Sequence, residues 1–137
     1  MASSSADQAA IEKRYREYCD ACQSGHLERL TDFWSLPATF AVDFGGSEPV
    51  CRVIDSAAEL ARLYSTEFDP STGVDKTTID SSEVKFFGEK LATIETTLSH
   101  TAKGQLHDRQ HAMYGCRKID GTWWFFSHVS SVDGHAG

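Results

Sequence analysis

The chain has 137 residues and a net charge of −7, with 40% hydrophobic and 24% charged residues. That is the length of one domain (residues 1–137) and the composition of a globular protein that can bury its own core. The acidic balance excludes nucleic acid and anionic membrane as partners, because both need a basic footprint.

No run approaches the roughly 18 apolar residues that span a bilayer. The opening MASSSADQAA has neither the basic nor the apolar stretch of a signal peptide, so a cytoplasmic location is expected. Residues 1–5 read as a disordered leader and 134–137 as a disordered tail. Ser5 with Gln8, or Asp7 alone, can cap a helix that starts near Ala6. Ile11, Tyr15, Tyr18, Cys19 and Cys22 recur at helical spacing as one apolar-aromatic face, and Gly25 ends the segment. A short second helix is expected over 26–34, with Leu27, Leu30, Phe33 and Trp34 inward and Pro37 as its stop. Residues 39–44 read as a strand, Gly45-Gly46-Ser47 as a turn and 50–54 as the return strand. Ser56 and Glu59 form a capping box for a third helix, whose inward face is Ala57, Leu60, Ala61, Leu63, Tyr64 and Phe68. A loop follows at 69–73.

From there the helical period is lost. Segments at about 75–87, 90–102, 105–119 and 122–133 are separated by Gly88-Glu89, Ala102-Lys103-Gly104 and Asp120-Gly121. An Asp-Gly pair between β-rich runs is a strong hairpin signal, so the second half is an antiparallel meander and the fold class is α+β. Trp123, Trp124, Phe125 and Phe126 make both faces of the last strand apolar. A sheet with one face in solvent would not want that, which predicts a homodimer through the sheet.

The four cysteines, Cys19, Cys22, Cys51 and Cys116, are expected as reduced thiols. Cys19 and Cys22 form a C-x-x-C near the C-terminal end of the first helix, without the helix N-terminus that activates a redox pair and without a second pair to complete a zinc site. On strand 105–119, His107, Arg109, His111, Met113 and Gly115 share one face, and Asp108, Gln110, Ala112, Tyr114 and Cys116 the other. A metal trio of His107, Asp108 and His111 therefore fails, because neighbours on a strand point apart, and no metal is expected. His100 beside its turn is expected in solvent. His128 shares a face with Trp124, Phe126 and Ser130, at a cavity mouth or at the interface.

The stretch RYREYCDACQSGHLERLTDFWSLPATFAVDFGG, with its aromatic helix, glycine-marked turn and A-T-x-x-x-D strand, resembles the opening of the NTF2-like family, which includes SnoaL-like and ketosteroid isomerase-like domains. CRKIDGTWWFFSHVSS is similar to its closing hairpin, and the likeness covers roughly residues 8–133. The resemblance implies a cone: three N-terminal helices packed in the concave face of a long curved antiparallel sheet, enclosing a pocket. It implies no cofactor. Tyr15 falls where such isomerases place an oxyanion-holding Tyr, and Asp43 near the position of the base. Asp43 would face the pocket only through a bulge or strand end near Gly45-Gly46, since it alternates with Val42 and Phe44. His111 is the acid–base candidate on the central strands, where related dehydratases and cyclases use a His, unless its face is turned to solvent or a partner. Tyr18, Trp34, Phe40, Tyr64, Arg109, Met113 and His128 complete the expected lining. The second acid of a ketosteroid isomerase is missing, with Gly115 at its place. Two readings follow: a cofactor-free isomerase, dehydratase or cyclase acting on a small hydrophobic carbonyl compound, or a non-catalytic small-molecule-binding or dimeric assembly domain.

Overall fold

The computed structural model describes residues 5–45, 48–66 and 76–133. Residues 1–4, Gly46 and Ser47 of the expected turn, Phe68, the 69–73 loop and the 134–137 tail lie outside the described residues. Ser5, expected in the leader, is the first residue of helix α1 (Ser5–Gln23).

Helix α1 buries Ile11, Tyr15, Tyr18 and Ala21, a 4-3-3 spacing that draws one stripe along the helix. Gly25, at φ 75°, reverses the chain so that the His26 N–H reaches the Ala21 carbonyl at 3.0 Å. The first half of α1 is tied to the far end of the molecule's sequence. Asp7 Oδ1 accepts from Lys118 Nζ at 3.0 Å and from Trp123 Nε1 at 3.1 Å. Arg14 donates through Nε to the Trp123 carbonyl at 3.0 Å and through Nη2 to the Asp32 carbonyl at 2.6 Å. Its guanidinium covers the rings of Phe33 and Trp124, 4.8 and 5.2 Å from the centroids.

The expected second helix is a single 3-10 segment, Leu27–Asp32, so the described residues contain two α-helices rather than three. Its continuation is taken over by the sheet: the Phe125 N–H donates to the Phe33 carbonyl at 2.9 Å, and Trp34 already begins strand β1 (Trp34–Asp43). Pro37, expected to stop a helix, instead lies in the irregular stretch of β1 where the pairing with β6 shifts between Trp34 and Thr39, a position that needs no ladder N–H. Strand β2 (Val50–Ile54) returns antiparallel. Helix α2 (Ala57–Thr66) starts where the Glu59 N–H donates to Ser56 Oγ at 3.1 Å, and it buries Leu60, Leu63 and Tyr64.

Strands β3 (Lys76–Phe86), β4 (Leu91–Ala102), β5 (Gln105–Ile119) and β6 (Thr122–Asp133) form the meander, with Lys103 and Asp120 at positive φ in the turns. The sheet order is β2-β1-β6-β5-β4-β3. The β1–β6 pair is parallel, so the sheet is mixed and not wholly antiparallel as the meander alone suggested. Ala38, Phe40 and Val42 of β1, Ala92, Ile94, Thr96 and Leu98 of β4, and Asp108, Ala112, Tyr114 and Cys116 of β5 are buried on the inner face, under α1 and α2.

Two bulges decide which side chains join them. In β6, Gly115 pairs with Ser127 but Cys116 with Phe125, leaving Phe126 as the extra residue. The inner set therefore steps from Trp123 and Phe125 to His128 and Ser130, whereas regular alternation would have kept His128 with Trp124 and Phe126. In the β4–β5 pair, His100 opposes Asp108 but Thr101 opposes Leu106, so His107 is the extra residue and escapes the alternation.

Candidate functional site

The interior of the cone is built from aromatic rings that carry polar heads. Tyr15 and Tyr18 come from α1, Trp34 and Phe40 from β1, Tyr64 from α2, Tyr114 from β5 and Phe125 from β6; every one is buried. Trp34 lies 4.5 Å from Phe40, 5.8 Å from Phe125 and 6.1 Å from both Tyr18 and Tyr114, measured between ring centroids. Tyr15 packs on three of the same rings, at 5.2 Å from Tyr114, 6.3 Å from Tyr18 and 6.4 Å from Phe125.

A core that needed only filling would use Phe and Leu, because a hydroxyl or indole N–H taken from water without a partner costs free energy. The hydroxyls of Tyr18 and Tyr64 answer one another across the interior. Tyr15 Oη and Trp34 Nε1 are buried and make no hydrogen bond among the described residues. Thr96 and Cys19 flank the Tyr15 hydroxyl. Burial pushes all four tyrosine hydroxyls well above the usual phenol range, so each is a neutral hydrogen-bonding group. Burial likewise pushes the thiols of Cys19 and Cys22 up to about 11 and about 12, the reverse of a redox-active pair.

Along the inner face of β5 and β6 runs a polar strip. His128 stacks on Phe40 at 5.5 Å and stands edge-on to Tyr114 at 4.7 Å. Its Nε2 is 2.8 Å from Ser130 Oγ, and Gln110 Nε2 donates to the same oxygen at 3.1 Å. Burial lowers the His128 pKa to about 4, so the ring is uncharged at neutral pH. Two residues further along β5, Asp108 accepts from His100 Nδ1 through one oxygen and from His107 Nδ1, at 2.8 Å, through the other. Burial opposes ionisation of Asp108, but the hydrogen bonds from His100 and His107 prevail and hold it below its ordinary value.

These positions settle where each expected residue sits. Tyr15, Tyr18, Trp34, Phe40, Tyr64 and His128 lie inside. Asp43 does not: β1 runs regularly to its end, the side chain is exposed, and its Oδ1 accepts the Gly45 N–H at 2.8 Å as a local turn. His111 and Arg109 are also exposed, on the outer face of β5, and His111 Nε2 is 2.7 Å from Glu95 Oε2 on the neighbouring strand. Met113, on the same outer face, is 39% exposed. The alternation that buries Asp108, Ala112 and Tyr114 turns Arg109, His111 and Met113 away from the interior. Gly115, at the place of the missing acid, is on that outer side too, its N–H donating to Ser127 Oγ at 3.2 Å.

Three inner polar residues, Gln110, Asp108 and Ser130, fall outside the expected site, and His100 was expected in solvent but has only 18% of its side chain exposed. The signal for Asp108 and Gln110 was present, because both share the Ala112-Tyr114-Cys116 face. Ser130 and His128 needed the β6 bulge, which no residue pattern announces. No group of three or more His, Cys, Asp or Glu side chains is arranged to hold a metal ion among the described residues.

A mixed six-stranded sheet curved around a long helix, with a polar-headed aromatic interior, defines an NTF2-like cone. Residues 7–132 match the family described as NTF2-like protein (DUF6841), and the chain belongs to that family. Solved structures agree on the fold. A protein of unknown function with a cystatin-like fold from Nostoc punctiforme superposes with a TM-score of 0.79 at 14% identity, covering 98% of this chain and 96% of that one. An NTF2-like protein of unknown function from Shewanella baltica gives a TM-score of 0.73 at 13% identity over 96% and 98% of the two chains. An NTF2-like protein with a cystatin-like fold from Novosphingobium aromaticivorans gives 0.70 at 19% identity over 95% and 84%. No curated protein matches the chain.

Proposed function

We propose that this protein binds a small, mainly apolar cyclic molecule inside the cone, between α1, α2 and the inner face of the sheet. The observation that carries this reading is the interior itself. Seven buried positions hold Tyr15, Tyr18, Trp34, Phe40, Tyr64, Tyr114 and His128, six of them with polar heads, and two of those heads are left unanswered by the described protein groups. Ligand sites of this kind are apolar surfaces with a few placed polar atoms. A fragment screen by NMR tests it: hits should shift the ring signals of Tyr15, Trp34 and Tyr114. Hits that shift only residues of the outer face, such as Met113 and Val129, would refute it.

A second reading, proton transfer by a cofactor-free isomerase, dehydratase or cyclase, draws support from His128. Its ring is neutral, buried and fixed by Ser130, and a neutral imidazole can accept a proton from a carbon acid. Asp43 and His111 lend this reading nothing, being outside. Deuterium uptake next to the carbonyl of a bound cyclic ketone, lost in His128→Gln, is the expected result; equal uptake in both proteins removes the reading. We also propose that two copies pair through the outer face of the sheet.

A further inference from the structure

Building on the interior-binding reading above, we propose that helix α2 is a lid over that interior, hinged at Asp55 and Ser56 and latched by the hydroxyl pair of Tyr18 and Tyr64, and that it opens to admit the guest.

The aromatic rings leave a guest no way in while every element stays in place. Tyr64 stands edge-on to Tyr18 at 6.4 Å and to Phe40 at 6.0 Å, and Trp34 lies 4.5 Å from Phe40, the separations of rings in contact. One element has to move. The strands of the sheet are locked to one another by their ladders. Helix α1 is pinned along its whole length: Asp7 holds Lys118 and Trp123, Arg14 holds the carbonyls of Trp123 and Asp32, and Gln23 Oε1 accepts the Thr77 N–H of β3 at 3.1 Å. Helix α2 is held differently. It rests on the interior through Leu60, Leu63 and Tyr64, while Ala57, Ala58 and Arg62 face solvent. A link of two residues, Asp55 and Ser56, joins it to β2. The Ser56–Glu59 box closes its first turn, so the helix can swing without unwinding.

The contact between α2 and α1 is polar where a permanent seam would be apolar. Two phenylalanines would close the same gap with no hydroxyl to take from water. A tyrosine pair is satisfied in both states. When α2 is closed, the two hydroxyls bond one another. When it is open, Tyr64 turns to water, and Tyr18 keeps the Tyr114 hydroxyl and the Cys22 thiol that also flank it. Neither state strands a buried polar group, so opening gives up chiefly the apolar contacts of Leu60, Leu63 and Tyr64.

Amide hydrogen exchange read by mass spectrometry tests the latch without a guest. In Tyr64→Phe the closed state loses its bond, so the amides of α2 should exchange several-fold faster, up to about tenfold. Those of α1 and β5 should keep their natural rates. Tyr18→Phe/Tyr64→Phe leaves an apolar pair of nearly the same shape, which gains nothing from water on opening, so its α2 should exchange no faster than that of the natural protein. Stopped-flow uptake of a neutral fluorescent probe, N-phenyl-1-naphthylamine, should follow the same order, fastest in Tyr64→Phe. Natural exchange of α2 in Tyr64→Phe, or an equal speeding of α1 and β5 that marks general loosening, overturns the latch while the binding interior stands. Faster α2 exchange with one uptake rate in all three proteins overturns α2 as the way in. If none of the three takes up the probe, the interior-binding reading falls, and the entrance with it.

Discussion

His128 Nε2 and Ser130 Oγ lie 2.8 Å apart inside the cone, two residues apart on one strand, and they face inward because Phe126 is an extra residue in β6. Without that bulge both would join Phe126 on the outer side. The bulge thus lets a central strand carry apolar rings on its inner face at its start and a polar pair further on.

Burial of His128 gives stability a pH dependence. An unfolded histidine binds its proton near 6.5, whereas in the fold His128 does so near 4, so the unfolded chain holds the extra proton between those values. Stability is full above the unfolded pKa and falls as pH drops toward the folded one, by up to about 3 kcal/mol. Asp108 acts in a lower window. Its folded pKa lies below 3.8, so its contribution persists until the pH falls under that value. Urea unfolding followed from about pH 7 to about pH 4 should show the His128 slope, and His128→Gln should flatten it. An unchanged slope in that variant would assign the effect to other groups.

Much of this fold was legible because it rests on local signals. The Ile11-Tyr15-Tyr18 stripe, the Ser56–Glu59 box and the Asp120-Gly121 turn each have a short-range physical cause, and each is where the sequence put it. The meander boundaries at 91–102, 105–119 and 122–133 follow from the same turns. The candidate site was less legible because it depends on which face each strand turns inward, and a one-residue change exchanges the two faces. For β5 the alternation could be read but not its sense, so His111, Arg109 and Met113 were drawn inside when Asp108, Gln110 and Tyr114 are the inner set. For β6 and for His107 the alternation itself breaks at a bulge. The parallel β1–β6 pairing and the loss of the second helix to β1 are long-range effects, since Phe33 and Trp34 are fixed by Phe125.

Asp43 and His111, attractive as an acid–base pair on paper, should be dispensable. Asp43 caps a turn and His111 pairs with Glu95 where both side chains are half exposed, and such exposed contacts contribute about 0–1 kcal/mol. The double variant Asp43→Asn/His111→Gln is expected to melt within a few degrees of the natural protein and to keep the same fragment hits on Tyr15, Trp34 and Tyr114 by NMR. Loss of those hits would place the ligand somewhere other than the interior.

Asp7 should matter far more than its place at the start of α1 suggests. One oxygen satisfies both Lys118 Nζ and the indole N–H of Trp123, a side chain only 4% exposed. Asp7→Ala leaves that N–H buried and unanswered, which costs about 1–3 kcal/mol. Asp7→Asn can keep an acceptor for Trp123 while losing the charge opposite Lys118, so its loss should be the smaller. Denaturant midpoints of the two variants check the order; equal losses would mean that the charge, not the indole bond, anchors the helix.

The proposed homodimer would rest on different side chains from those that first suggested it. Of the four consecutive aromatics, Trp123 and Phe125 are buried in the core, Trp124 lies beneath Arg14, and Phe126 leans over Gly115, where an added Cβ would come within 2.9 Å of its ring. What the outer face does expose is Met113 at 39%, Val129 at 49% and Val53 at 68%. Met113 pairs with Val129, and Val129 with Ala41, so three uncharged residues run side by side across the centre of the sheet, with Glu95 next in line beyond Met113. Burying these three residues in an isologous contact removes apolar surface from water on both copies at once. Sedimentation of the natural protein should therefore give a dimer, and Met113→Glu/Val129→Glu, which sets like charges face to face, should give a folded monomer. A monomeric natural protein at high concentration, or a dimer that survives both glutamates, would rule out pairing through this row.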